Sequence, residues 1–81
     1  MTKRDKQTAR LLAQKTLSSD DAVRLMELDG WYPDPYNPQK GSHKQFIHPV
    51  KKGKVTIPLG RKVLPKDTRD SILYQMGLLT D

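Results

Sequence analysis

Gly41-Ser42-His43-Lys44-Gln45-Phe46-Ile47-His48-Pro49 decides how this chain folds. A glycine turn opens the stretch and Pro49 closes it, so Ser42 to His48 reads as one short strand. Alternation groups Phe46 with Lys44 and His48 on one face, and His43, Gln45 and Ile47 on the other. With Phe46 taken as the core residue, His43 projects from the open side of a sheet. Both histidines of the protein lie in this stretch.

Downstream, Val50-Lys51-Lys52-Gly53-Lys54 reads as a hairpin turn leading into a strand over Val55-Thr56-Ile57-Pro58. Leu59 to Leu64 is a connection carrying Arg61 and Lys62. Pro65 suits the first turn of a last helix, with Asp67 or Thr68 as its cap. Ile72, Leu73 and Met76 form the apolar stripe of that helix. Gly77 ends it, and Leu78 and Leu79 fold back onto the core.

Upstream, Ser18-Ser19-Asp20-Asp21 is a helix start, because serine and aspartate accept from the unpaired first amides. Ala22, Leu25 and Met26 repeat at helical spacing, and Gly30 terminates a helix of about Ser19 to Asp29. Trp31-Tyr32-Pro33-Asp34-Pro35-Tyr36 is expected as the first strand, confined to an edge by its prolines. Trp31 is read as core, with Tyr32 and Tyr36 unassigned. The expected order is helix, strand, strand, strand, helix: an α+β fold with a three-stranded antiparallel sheet and both helices on one face. Residues 18–81 form this single domain. Residues 1–17 are a basic extension, partly helical or disordered, in which Ala9, Leu12, Ala13 and Leu17 form a weak stripe with Leu11 beside it.

The chain has 81 residues, no cysteine and a net charge of +6. Without cysteine it has no disulfide framework and no thiolate metal site. No apolar run approaches the roughly 20 residues of a membrane span, and the N-terminus lacks a secretory core, so a cytoplasmic protein is expected. Seven cations and no acid occupy residues 37–63: Lys40, Lys44, Lys51, Lys52, Lys54, Arg61 and Lys62. Such asymmetry points to a polyanion, nucleic acid first.

His43 is the one candidate for catalysis. Imidazole titrates near neutrality and can take a proton from a ribose 2′-hydroxyl or return one to a departing oxygen. Nearby lysines would stabilise charge on the phosphorus oxygens, and Gly41 lets the backbone approach a phosphate. His48, five residues on, falls on the opposite face and is assigned a structural role at the sheet edge. No ligand spacing for a metal and no Walker loop is present. The same basic residues would serve a non-catalytic RNA- or DNA-binding module, and a third reading is a protein whose basic face docks an acidic partner.

The stretch Gly41 to Pro49, followed by Val55-Thr56-Ile57-Pro58, Leu64-Pro65 and Ser71-Ile72-Leu73-Tyr74-Gln75-Met76-Gly77-Leu78, resembles the HicA toxins, mRNA interferases of toxin–antitoxin pairs. The likeness runs from about residue 19 to residue 79. It implies a fold like that of double-stranded-RNA-binding domains and His43 as the catalytic residue. It also implies no metal or other cofactor, mRNA as substrate and a HicB-type antitoxin as partner. RNA contacts are then expected from Lys40, Gly41, Ser42, Lys44, Lys51, Lys52, Lys54, Arg61 and Lys62. The chain departs from the family in its N-terminal extension, in Pro33 and Pro35, and in a longer loop before Gly41.

Overall fold

A computed structural model describes residues 3–37 and 41–78. Its elements are α1 (Lys3–Leu12), α2 (Ser19–Leu28), β1 (Tyr32–Pro33), β2 (His43–Ile47), β3 (Val55–Pro58) and α3 (Lys66–Met76). From α2 onward this is the expected order, and the sheet is antiparallel in the order β1-β2-β3.

Phe46, Val55 and Ile57 turn one face of the sheet toward Ala22, Leu25 and Met26 of α2 and Ile72, Leu73 and Met76 of α3, all buried. Both helices therefore cover the same face. Trp31 completes this core beneath α2, its ring edge-on to His48 at a centroid distance of 5.1 Å. Leu78 packs back against the core as expected, while Leu79 lies outside the described residues.

Ser18 caps α2 with its hydroxyl, and Asp21 returns a bond to the Ser18 amide. This reciprocal pair satisfies two otherwise orphaned donors. α3 begins on Pro65 without any side-chain cap, so neither Asp67 nor Thr68 caps it. Proline supplies the backbone angle and brings no amide that would need a partner. Gly77 closes α3 in the left-handed conformation with φ 80°.

The first strand is much shorter than the six residues expected. Only Tyr32 and Pro33 are strand, opposite Ile47 and Phe46. Asp34 donates its amide to the Gln45 carbonyl, then its carboxylate accepts from the Tyr36 amide and pulls the chain into a turn. Asp at the first position and Pro at the second favour that turn over a continued strand.

α1 lies on α2 and runs back along it, with Arg24 bonded to the Gln7 side chain. Leu11 packs against the core, whereas Ala9, Leu12 and Ala13 are exposed. The expected stripe is thus turned away from the protein. The face that carries Gln7 and Leu11 is the one that meets α2, and Leu17 enters the core from the linker.

Candidate nucleic-acid interface

His43 opens β2, opposite Pro58 of β3, and is exposed. Its face of the sheet also carries Gln45, Ile47, Thr56 and Tyr32 by alternation and register. Among the described residues no helix covers this face, since α2 and α3 occupy the other. Gly41 precedes it with φ 57°, a conformation that glycine adopts without strain. The Ser42 carbonyl accepts from the Leu59 amide, which ties the turn before His43 to the end of β3.

The expected RNA contacts fall into two groups separated by the length of β2, about 17 Å at 3.4 Å per residue. Gly41, Ser42, Arg61 and Lys62 lie at the His43 end of the sheet. Lys51, Lys52 and Lys54 lie at the hairpin end. Lys40 falls outside the described residues.

The loop bearing Arg61 and Lys62 is fixed by α2. The buried Ser19 hydroxyl donates to the Pro58 carbonyl at 2.6 Å and accepts from the Arg61 amide at 2.9 Å. The Ser19 amide donates to the Arg61 carbonyl. A cleft lined by Ser18, Ser19, Asp20, Gly60, Arg61 and Lys62 results, with both cationic side chains exposed.

At the other end only Lys52 has no ion pair among the described residues. Lys51 reaches the helical side, where its ammonium meets the Asp29 carboxylate at 2.5 Å and the last carbonyl of α3, that of Met76, at 2.7 Å. Lys54 pairs with Asp34 at 3.1 Å. Lys44 shares the Phe46 side, with its ammonium 5.7 Å from that ring's centroid, and so points away from the face of His43.

Asp34 was not expected here. It lies opposite Gln45 on the face of His43, yet its side chain is only 2% exposed. Asn37 donates to it at 2.8 Å and the Tyr36 amide at 2.9 Å, with Lys54 as counter-ion. The Asn37 and Tyr36 bonds, and then Lys54, hold its carboxyl below the usual carboxylate range, against the opposing effect of burial. Gln45 sits beside it with a buried Oε1 that no protein donor reaches. The Asp34-Pro35-Tyr36-Asn37 sequence carried the signal, an aspartate that opens a turn.

His48 is structural. Its Nδ1 accepts from the Val50 and Lys51 amides, so Nε2 carries the proton and donates to the Asp29 carbonyl at 2.9 Å. A Cβ on Gly30 would stand 3.1 Å from that Nε2. Among the described residues no three His, Asp or Glu side chains form a cluster that could hold a metal ion, and no helix is long and apolar enough to cross a membrane.

No curated protein matches the sequence. A family model described as HicA toxin of bacterial toxin-antitoxin matches residues 19–78, which spans α2 through α3 and leaves α1 outside.

Proposed function

We propose a ribonuclease from one premise: this chain belongs to the HicA toxins, the toxin members of bacterial toxin–antitoxin systems. Membership brings a cognate antitoxin with it. On our reading the chain is a cytoplasmic, metal-independent endoribonuclease that cleaves mRNA, and its antitoxin is of the HicB type and covers the face that carries His43.

The observation that carries the reading is the exposure of His43 on the face of the sheet away from α2 and α3, beside a glycine turn and at the end of the sheet from which Arg61 and Lys62 follow β3. His43 acts as general acid and base. As base it takes the 2′-hydroxyl proton while that oxygen attacks the adjacent phosphorus. As acid it returns a proton to the departing 5′-oxygen. Arg61 and Lys62 hold the phosphate, and Gly41 and Ser42 let the backbone approach it. His48 takes no part, because both of its ring nitrogens are engaged by the backbone.

The test is digestion of a defined RNA by the wild type and by His43→Ala. Loss of the positioned imidazole lowers the rate by about 10²–10⁴-fold. Because His43 is exposed, the variant keeps its melting temperature. A variant that cleaves at the wild-type rate would refute the assignment, and a wild type that EDTA inactivates would refute metal independence. Wild-type protein that binds RNA and leaves it intact would favour a non-catalytic binding module.

A further inference from the structure

We infer that Ser19 is a positioning residue for His43: it fixes the end of β3, and the end of β3 confines the imidazole. The inference rests on the ribonuclease reading above for the reaction that His43 serves.

Ser19 is not engaged where a serine at a helix start usually is. Ser18 caps α2 and forms the reciprocal pair with Asp21, so the Ser19 hydroxyl has no capping task. Ser19 is 2% exposed, and its polar groups all reach a segment remote in sequence. The hydroxyl donates to the Pro58 carbonyl and accepts from the Arg61 amide, and the Ser19 amide donates to the Arg61 carbonyl. β3 lies at the margin of the sheet. At Pro58, Ser19 takes the outward carbonyl that a fourth strand would have paired.

The same segment frames His43. Pro58 is the register partner of His43 on β3. The Leu59 amide donates to the Ser42 carbonyl, so Ser42 and Leu59 face each other across a hydrogen-bonded rung. His43 and Pro58 occupy the next rung, which is not hydrogen-bonded. Side chains opposite each other on such a rung share one face, with Cβ atoms about 4.5–5.5 Å apart. The Pro58 ring is closed on its own backbone and cannot swing aside. It stands beside the imidazole as a wall, and the peptide that places this wall is the one Ser19 holds. Ser42, the residue before His43, is tied to the same segment through Leu59. Removing the Ser19 hydroxyl takes a partner from both the Pro58 carbonyl and the Arg61 amide, and the segment shifts to pair them with water. An acid–base group must lie within hydrogen-bond reach of its proton, so that shift acts on the chemical step.

The test uses the full chain and a defined single-stranded RNA, below the melting temperature of every variant. Ser19→Ala lowers kcat on the order of 10–10²-fold and leaves KM within about threefold. Ile72→Val, a substitution in the core of α3, also lowers the melting temperature but keeps the wild-type kcat. An unchanged kcat in Ser19→Ala would overturn the inference, as would an equal fall in Ile72→Val. A rise in KM with kcat unchanged would assign Ser19 to the Arg61 loop and overturn it too. In NMR spectra of Ser19→Ala, the His43 Hα–Hβ couplings move to the average of a freely rotating side chain. Those of His48, whose ring is bonded to the backbone, keep their values. His43 couplings already averaged in the wild type would refute the role of Ser19. If the wild type leaves RNA intact, the ribonuclease reading fails, and the couplings still decide whether Ser19 holds the imidazole.

Discussion

At the residue scale, His43 and Asp34 share one face of the sheet by alternation and have opposite fates, the first exposed and the second buried. Phe46 and His43 were separable in the sequence, because strand parity needs only one reliable core residue to orient all the others. Asp34 was not separable. Its burial depends on Asn37, on the Tyr36 amide and on Lys54, which is remote in sequence. Its carboxyl is held below its ordinary range in the folded protein. A depressed folded value means stability that is present above the unfolded carboxylate range and is lost as pH falls through the folded value. Melting temperature should therefore fall on acidification below about pH 4, the unfolded aspartate range. In Asp34→Asn that acid limb should be shallower, and the variant should start from a lower melting temperature at neutral pH because Lys54 loses its partner. Parallel limbs for the two proteins would refute the linkage.

At the element scale, the hairpin turn separates cations that the sequence places together. Lys51, Lys52 and Lys54 are near neighbours in sequence and read as one cationic group. The turn sends them in different directions, and only Lys52 is left without an ion pair among the described residues. Lys51 joins the end of α3 to Asp29, where a cation also suits the negative end of the helix dipole. Lys51→Ala should lower stability by about 1–2 kcal/mol, which in a domain of this size is roughly 4–16 °C in melting temperature. Lys52→Ala should leave the melting temperature unchanged and weaken RNA binding. Thermal melts and RNA titrations of the two variants would separate the roles, and an unchanged melt for Lys51→Ala would sink the structural assignment. The short β1 and the phase of α1 also escaped the sequence. In β1, a local Asp–Pro turn outweighs aromatic strand preference. In α1, an alanine–leucine stripe is weaker than the packing of Leu11 and the Gln7–Arg24 bond.

At the scale of the whole molecule, the fold from α2 onward was legible because its signals agree: a capped helix, a glycine hairpin, and a second helix closed by Gly77. What the sequence could not supply was which cations are held by acids within the fold, Lys51 by Asp29 and Lys54 by Asp34. If Arg61 and Lys62 hold phosphates, replacing both with alanine should reduce the slope of log K against log salt by about 1.4, at 0.7 per contact for a single strand. Affinity for every RNA sequence should fall together. A slope equal to that of the wild type would place the phosphate contacts elsewhere.

Pro33 and Pro58 give the sheet a further property. In β1 the ladder toward β2 uses the amide of Asp34, so Pro33 sits at the rung where β1 turns its peptide groups outward. In β3 the Leu59–Ser42 bond sets the alternation, and the outward rungs are Thr56 and Pro58. Proline has no amide to offer, and the Pro58 carbonyl is already taken by Ser19. Of the outward-facing donors on the two margins, the Thr56 amide alone remains. A visiting strand would find almost nothing to zip onto. The sheet is thereby protected from edge-to-edge polymerisation.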